Sequence, residues 1–189
     1  MERLILASKS PRRAELLARM GIEFTVCAPE VDEQVSGEPA ACVEELARRK
    51  AHAGAELARS GWVLAADTLV FLDGQALGKP KDEAQAAQML RALSGKTHRV
   101  LTGMCLKNAA DGREFVRHDG ASITFDVLSE QEIEAYIATG EPMDKAGAYA
   151  LQGRGGMFVE RIEGSYSNVI GLPMALAREM LLSAGVTNL

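Results

Sequence analysis

The chain has 189 residues, a formal net charge of −5 and a hydrophobic fraction of 47%. This length and ordinary globular composition exclude a disordered protein and predict one domain over residues 1–189. No apolar run approaches the roughly 20 residues of a transmembrane helix, and the run that starts at Leu4 is too short for a secretory signal. Three scattered cysteines predict reduced thiols in the cytoplasm.

Apolar periodicity and turn residues divide the chain into alternating strands and helices, which is typical of an α/β or mixed-sheet fold. The predicted elements are, in chain order, a strand at 4–7, a helix from Ser10 and Pro11 to Gly21, a strand at 24–27, a helix over about 40–59, a strand at 62–72 that ends in an Asp73-Gly74 hairpin, a helix over 83–93 capped by Asp82, strands at 98–107 and 114–127, a helix from a Ser129–Glu132 capping box to Gly140, a strand at 157–162 with a turn at Glu163-Gly164, and a helix after Pro173.

A polar segment follows the first strand, where Ser10 and Pro11 begin a helix. A helix N-terminus carries free N–H groups and a partial positive charge, and it favours phosphate. Arg12 and Arg13 lie in the first turn, where their charges oppose the helix dipole unless an anion is bound. The segment is therefore either a phosphate site or a plain N-cap with two solvated arginines. We expect both arginines to affect binding more than stability.

Asp67 and Lys50 place charges among apolar residues. Asp67 follows the apolar run 62–66 and the strand continues beyond it, so its carboxylate needs a cation, a metal ion or hydrogen-bond donors. An ordinary turn or capping aspartate is the alternative interpretation. Lys50 lies on the apolar face of its helix, where it either snorkels to solvent or directs a cation at phosphate. That face is predicted to comprise Val43, Leu46, Ala47, Lys50, Ala53 and Leu57.

Two later segments combine glycine with charged residues. Lys79 lies between a glycine and a proline, and it is either a cation placed by a restricted backbone or a solvated loop lysine. The segment 144–156 contains four glycines together with Asp144, Lys145 and Gln152. Because glycine lets a backbone approach a ligand closely, this mixture favours a binding loop over a long flexible turn.

Seven short motifs resemble those of the Maf-like nucleotide pyrophosphatase family, and in order they span nearly the whole chain. Each motif is weak alone, but seven in the same order are specific. The motifs are Leu6–Arg13 (LASKSPRR), Val31–Glu33 (VDE), Ala47–Ala51 (ARRKA), Ala66–Thr68 (ADT), Gly78–Pro80 (GKP), Asp144–Tyr149 (DKAGAY) and Gly164–Pro173 (GSYSNVIGLP).

The resemblance implies a mixed α/β fold with an elongated, strongly bent sheet flanked by helices, and an active-site cleft between two lobes. It implies a cytoplasmic enzyme that cleaves the α–β bond of nucleoside triphosphates, uses a divalent cation (Mg²⁺, Mn²⁺ or Co²⁺) and forms a homodimer. The motifs at Asp67-Thr68 and 144–152 are similar to those of the branch that acts on dTTP and UTP. Family members are also described as inhibitors of septum formation.

The resemblance also implies roles for individual residues. Asp67 is the catalytic acidic residue, and it is either a proton acceptor or, because a carboxylate is a weak base near neutral pH, a metal ligand that orients water. Glu33 and Asp67 are expected to bind the metal ion. The residues expected to bind phosphates or determine the base are Ser10, Arg12, Arg13, Lys50, Thr68, Lys79, Lys145 and Gln152.

Two other functional classes remain to be weighed. A non-catalytic nucleotide-binding regulator of septum formation would keep the arginines and the glycine-rich loop, but it would not need the acidic pair Glu33 and Asp67. A nucleic-acid-binding regulator is disfavoured by the net charge of −5 and the aromatic content of 5%. The expected partner is thus a nucleoside triphosphate, with neither nucleic acid nor membrane as a partner.

Overall fold

The computed structural model describes residues 3–187, and Met1, Glu2, Asn188 and Leu189 lie outside that range. The strands are β1 (Leu4–Ala7), β2 (Phe24–Cys27), β3 (Trp62–Leu72), β4 (Gln75–Leu77), β5 (Thr97–Asn108), β6 (Glu114–Phe125) and β7 (Val159–Gly164). The α-helices are α1 (Pro11–Arg19), α2 (Pro39–Ala58), α3 (Glu83–Leu93), α4 (Glu130–Ile137), α5 (Tyr166–Ile170) and α6 (Met174–Ser183). Short 3₁₀ helices cover Glu141–Asp144, Ala146–Ala148 and Arg154–Phe158. Within residues 3–187, no helix has the length and apolar character that crossing a membrane requires.

The strands form one mixed sheet in the order β2-β1-β3-β5-β6-β7, with β4 paired to β3. Strand β1 lies parallel to both β2 and β3, so that Leu4 faces Phe24 on one side and Trp62 on the other. Strand β4 is antiparallel to β3, and β7 is antiparallel to β6. Because helices accompany both parallel and antiparallel pairs, the predicted mixed α/β class is confirmed.

The chain divides into two compact units, of which the first consists of Met1–Asp67, Thr102–Asp119 and Gly171–Leu189. Its core joins small side chains of α2 to the strands, and one cluster comprises Ile5, Ala7, Ala47, Ala51, Ala55, Val63, Ala65 and Cys105. Gly54 shows how close this packing is, because a Cβ atom there would lie 2.9 Å from both Ala7 Cβ and Val63 Cγ1. Close helix-to-strand packing therefore requires glycine in the middle of α2, despite its low helix propensity.

The second unit consists of Thr68–Leu101 and Gly120–Ile170. Its core is richer in large side chains, which α3, α4 and the strands contribute. Phe125 makes edge-on ring contacts with His98 and Tyr149 and a tilted contact with Phe158. This aromatic core supports the residues 141–158, which hold the three 3₁₀ helices.

Local signals predicted several element ends correctly. Asp73 and Gly74 both have positive φ angles, of 50° and 80°, as a two-residue hairpin of type I′ requires. The Asp82 side chain accepts a hydrogen bond from the backbone of α3 at 2.7 Å. The capping box of Ser129 and Glu132 is present at the start of α4. These ends depend on contacts only a few residues apart, which explains why the sequence reveals them.

The predicted apolar face of α2 is wrong toward its C-terminal end. Leu57 is 64% exposed and Ala53 is only half-buried. Ala51, Gly54 and Ala55 are buried in their place. Helix α2 approaches the sheet where its residues are smallest, so side-chain size decides which face is buried more than hydrophobicity does.

The irregular part of the second unit also departs from the prediction. The 3₁₀ helix Arg154–Phe158 occupies the start of the strand predicted at 157–162, so β7 begins only at Val159 and continues to Gly164. The 3₁₀ helices and the five-residue α5 were not predicted. Such short elements have too few residues for periodicity to mark them.

Candidate active site

Asp67, Lys50 and Glu33 form a charged cluster in the first unit. Asp67 lies within β3, Lys50 lies on α2, and Glu33 lies in the loop between β2 and α2. Lys50 Nζ donates a hydrogen bond to Asp67 Oδ1 and lies 2.7 Å from Glu33 Oε1. The side chains of Lys50 and Asp67 are only 14% and 11% exposed, so water screens this pair less than a surface ion pair. Lys50 therefore joins two carboxylates rather than snorkelling to solvent.

Arg13 lies within electrostatic reach of this cluster. Its Nε donates to the carbonyl oxygen of Gly171 at 2.8 Å, and its Nη1 lies 3.5 Å from Ser8 Oγ. Burial lowers the pKa of the Arg13 guanidinium, while the negative charges of Asp67 and Glu33 act to raise it. The guanidinium is thus a desolvated cation beside two acidic groups, which strengthens its interaction with any anion that comes close.

Ser10 and Arg12 behave differently from Arg13. Ser10 occupies the N-cap position of α1, but its side chain makes no capping hydrogen bond, contrary to the expectation from sequence. Its N–H donates instead to Ser8 Oγ at 3.1 Å, and Pro11 supplies the fixed φ angle at the first helical position. The half-buried Arg12 makes no hydrogen bond or ion pair within residues 3–187. The two adjacent arginines therefore have different environments.

Four of the predicted residues belong to the second unit. Thr68 is half-buried within β3, and Lys79 is exposed on the segment after β4. Lys145 donates to the carboxylate of Asp144, and its side chain is 15% exposed. Gln152 is exposed in a turn before the 3₁₀ helix Arg154–Phe158, and its side chain makes no hydrogen bond to the described part of the chain.

Two residues that the sequence patterns did not single out as functional hold the loop around Gln152. The hydroxyl of Tyr136 donates to Glu141 Oε1 at 2.7 Å and accepts a hydrogen bond from the N–H of Ala150 at 3.2 Å. The Glu141 carboxylate also accepts the N–H groups of Arg154 and the following residue, at 3.0 and 3.1 Å. One tyrosine–glutamate pair thus fixes the backbone on both sides of Gln152.

The ionisation of this pair favours a fixed structure. Burial raises the pKa of Glu141, but hydrogen bonds from Gly155, Tyr136 and Arg154 outweigh it, so the pKa lies below its usual value. Burial raises the pKa of the Tyr136 phenol. The acceptor is therefore charged and the donor neutral across the physiological pH range. Helical periodicity marks Tyr136 only as a core residue, and no spacing rule connects Glu141 with residues 13 and 14 positions later.

Two glycines of this loop allow close packing against protein atoms. A Cβ atom at Gly153 would lie 2.4 Å from both carboxylate oxygens of Glu141. At Gly155, it would lie 2.6 Å from the Tyr136 hydroxyl. The sequence predicted that these glycines let the backbone approach a ligand, whereas the structure shows them approaching the tyrosine–glutamate pair.

A divalent cation fits the acidic pair of the first unit, although the protein alone does not complete its coordination. Within residues 3–187, no group of three or more His, Cys, Asp and Glu side chains could hold a metal ion. Glu33 and Asp67 both contact Lys50 Nζ, and carboxylate oxygens are suitable ligands for Mg²⁺ and Mn²⁺. Mg²⁺ often uses one or two protein carboxylates together with water and substrate phosphates. The pair fits a cation that shares its coordination with a phosphate ligand.

A family model described as Maf-like protein matches residues 3–184. The match includes residues of both units and all seven motifs. The chain belongs to the Maf-like family. The sequence resemblance to this family is thereby confirmed.

Curated relatives of this Maf-like chain carry the name dTTP/UTP pyrophosphatase. The relative from Moorella thermoacetica is 52% identical over 98% of this chain and 97% of its own length. The relative from Bacillus pumilus is 44% identical over 99% of each chain, and the relative from Thermococcus gammatolerans is 48% identical over 92% of each. The chain thus resembles whole proteins of that name.

A solved structure supports the fold of the Maf-like chain. The Ham1 protein of Staphylococcus aureus superimposes with a TM-score of 0.57 over 97% of this chain and 100% of its own. Sequence identity is only 16%, so the likeness concerns the fold alone.

The structure groups some predicted site residues of the Maf-like chain and leaves others apart. Within the first unit it brings Arg13, Glu33, Lys50 and Asp67 together. Of these, Glu33 was expected only from the resemblance, because nothing in its own spacing marks it. In the second unit, the positive charge of Lys145 helps to lower the pKa of Glu141. The Glu141 carboxylate also accepts a hydrogen bond from the backbone N–H of Arg154, two residues after Gln152.

Proposed function

We propose that this Maf-like chain is a nucleoside triphosphate pyrophosphatase that hydrolyses dTTP and UTP to the nucleoside monophosphate and pyrophosphate. Relatives with that name are 44–52% identical over at least 92% of the chain. One structural observation carries the proposal: a half-buried lysine joins two carboxylates beside a desolvated arginine. Hydrolysis of a polyphosphate needs cations for the phosphate oxygens and acidic groups for water and metal, and this cluster contains both.

The polyphosphate is bound by locally placed cations on a protein that is acidic overall. A triphosphate carries about four negative charges near neutral pH, and a net charge of −5 gives no general attraction for it. Arg13 and Lys50 supply desolvated positive charge. The further cations that we assign to phosphate binding, with Ser10 as a hydrogen-bonding partner, are Arg12, Lys79 and Lys145.

Asp67 is the catalytic carboxylate of the proposed reaction. Because Asp67 accepts a hydrogen bond from Lys50, we propose that Asp67 orients the attacking water rather than accepting the proton of that water. Glu33 and Asp67 would together hold Mg²⁺, Mn²⁺ or Co²⁺. Such a cation, when bound, would neutralise charge that develops on the phosphate oxygens.

Gln152 is the residue that we assign to reading the pyrimidine base. Uracil and thymine present an N3–H donor between two carbonyl acceptors, and one amide plane offers the matching donor and acceptor. Its exposed side chain is available for such a contact. Thr68 or Arg12 is our candidate for holding the orientation of this amide, since an amide that could flip would also accept cytosine.

The test is a product assay with purified protein, Mg²⁺ and a panel of dTTP, UTP, CTP, ATP, GTP and 7-methyl-GTP. We expect dTTP and UTP to yield monophosphate and pyrophosphate, and dTDP to be a poor substrate. Asp67→Asn should keep the fold and reduce kcat/KM by at least about 100-fold, the size expected for removing a catalytic charge. The matched control is Asp73→Asn in the hairpin, where asparagine tolerates the positive φ.

Two results of this assay would refute the proposal. The first is dTDP and orthophosphate as initial products from dTTP, which would mean that a different bond is cleaved. The second is nucleotide binding without turnover by wild-type protein in Mg²⁺, Mn²⁺ and Co²⁺. That result would favour the non-catalytic regulator of septum formation.

We further propose that residues 1–189 act as a single Maf-like domain, that the enzyme works in the cytoplasm, and that it forms a homodimer. The single family match through both units supports the first statement. Light scattering of the purified chain tests the homodimer.

A further inference from the structure

We propose that Tyr136 and Glu141 are positioning residues that fix the Gln152 loop and thereby set the discrimination between uracil-type bases and cytosine. The inference rests on the proposed function, because it concerns how that enzyme chooses its substrate. Neither side chain needs to touch the nucleotide. Both act through the backbone that presents Gln152.

The contacts surround Gln152 symmetrically. Two residues before it, the N–H of Ala150 donates to the Tyr136 hydroxyl at 3.2 Å. Two residues after it, the N–H of Arg154 donates to Glu141 Oε2 at 3.0 Å, and the next N–H donates to Oε1 at 3.1 Å. These last two groups belong to the start of a 3₁₀ helix, whose first N–H groups lack partners within the helix. The Glu141 carboxylate supplies those partners.

The pair of Tyr136 and Glu141, which we call the anchor, has little freedom to move. Tyr136 is 1% exposed, and its ring makes an edge-on contact with Phe158 at a centroid distance of 5.1 Å. Its hydroxyl joins Glu141 to helix α4 through the 2.7 Å hydrogen bond. Because the loop is hydrogen-bonded to a buried tyrosine and its partner, the position of the tyrosine ring restricts the position of the loop. Without these hydrogen bonds, an exposed loop of this composition would sample many conformations.

The glycines of the loop are matched to this anchor. Gly153 and Gly155 pass so close to Glu141 and Tyr136 that any side chain would overlap with the carboxylate or the hydroxyl. Gln152 therefore lies on a backbone whose distance from the tyrosine–glutamate pair is fixed by contact. Small displacements matter for base reading, because a site built on a hydrogen bond discriminates only while donor and acceptor stay aligned.

The experiment compares two anchor variants with two matched controls. Tyr136→Phe removes the hydroxyl, and Glu141→Gln replaces one accepting oxygen by an amide NH₂ group that cannot accept. The control Tyr149→Phe removes a buried hydroxyl that bonds to His98 instead of the loop. The control Glu134→Gln changes an exposed glutamate on the same helix. Each variant is assayed for kcat and KM with dTTP, UTP and CTP, and for amide exchange in the peptide 149–157.

We expect both anchor variants to lower the dTTP-to-CTP ratio of kcat/KM by at least about tenfold. The loss should appear as a higher KM for dTTP, with kcat within about threefold of wild type, because the Asp67 cluster is unchanged. Amides of residues 149–157 should exchange at least about tenfold faster. Tyr149→Phe should lower thermal stability but keep the ratio, and Glu134→Gln should change neither property.

The possible outcomes separate this inference from the proposed function. If wild type releases no pyrophosphate from dTTP or UTP, the proposed function is refuted and this inference with it. If wild type is active but folded anchor variants keep the dTTP-to-CTP ratio within about twofold, only the inference is refuted. It is also refuted if Tyr149→Phe lowers the ratio as much as Tyr136→Phe does.

A second pair of variants covers the case in which the anchor variants do not fold. Gly153→Ala keeps Tyr136 and Glu141 but puts a methyl group 2.4 Å from the carboxylate oxygens. Either the loop or the carboxylate must then move, and both movements disturb the hydrogen bonds between Glu141 and the loop. Gly120→Ala is the matched control, because its nearest contact would be an ordinary 3.6 Å. We expect only Gly153→Ala to lower the dTTP-to-CTP ratio, and an unchanged ratio would overturn the inference.

Discussion

Replacing Lys50 by methionine should destabilise the protein in the absence of divalent cations and create a response to Mg²⁺. The substitution keeps an unbranched apolar side chain out to the Cε position but removes the ammonium group that joins Asp67 to Glu33. Two carboxylates then remain close together, and Asp67, whose side chain is 11% exposed, has lost its cation. A divalent cation can replace the lost charge, because it is now free of competition from the lysine.

The magnitude follows from the burial of the pair. Breaking a fully buried ion pair costs about 3–5 kcal/mol, and the partial exposure here reduces the expected loss to about 2–4 kcal/mol. For a chain of this size, that loss corresponds to a decrease of about 4–16 °C in the melting temperature. Mg²⁺ at ten times its dissociation constant should restore about 1.4 kcal/mol.

The assay is urea and thermal unfolding of wild type and Lys50→Met in EDTA and in Mg²⁺. Lys107→Met is the matched control, since Lys107 is 19% exposed and lies 3.7 Å from Glu114. Glu114 keeps Arg48 as a second partner, so the control should lose less than about 1 kcal/mol and should not respond to Mg²⁺. Equal stability of Lys50→Met and wild type in EDTA would refute this reasoning, as would an equal Mg²⁺ response in all three proteins.

Three further predictions concern single residues. Arg12→Ala and Arg13→Ala should both slow turnover, but only Arg13→Ala should also lose about 1–3 kcal/mol, because its guanidinium bonds to Gly171; equal melting temperatures would contradict this. Burial lowers the pKa of His98 from 6.5 to about 4, so the His98 imidazole binds a proton more readily in the unfolded chain than in the folded one. The free energy of unfolding therefore falls as the pH drops from about 6.5 to 4. His98→Gln should reduce that loss in the free energy of unfolding by about 3 kcal/mol. If the stability of the variant and of wild type depends on pH in the same way, His98 does not contribute. Gly54→Ala should destabilise the fold by about 1–2 kcal/mol despite the better helix propensity of alanine, and a higher melting temperature would disprove the close packing of α2.

The sequence alone determined the order of the longer strands and helices, several of their ends, and the family. The hairpin at Asp73-Gly74 and the capping box at Ser129 depend on contacts within a few residues, so their composition reveals them. The seven motifs identified the family because short motifs that are weak alone become specific when all seven occur in the same order along the chain. Asp67 was marked locally too, since a carboxylate inside an apolar strand needs a partner.

Only the tertiary structure decided which partner Asp67 has and what the glycine-rich loop is built against. Lys50 lies 17 residues from Asp67, and the loop around Gln152 is held by Tyr136 and Glu141, up to 14 residues away from the N–H groups that they bind. The buried face of α2 was likewise decided by how closely small residues approach the strands. Periodicity indicates which side chains are buried, but it does not indicate which residues distant in sequence come into contact. Those contacts depend on how the helices and strands pack against one another, and that packing exists only in the folded chain.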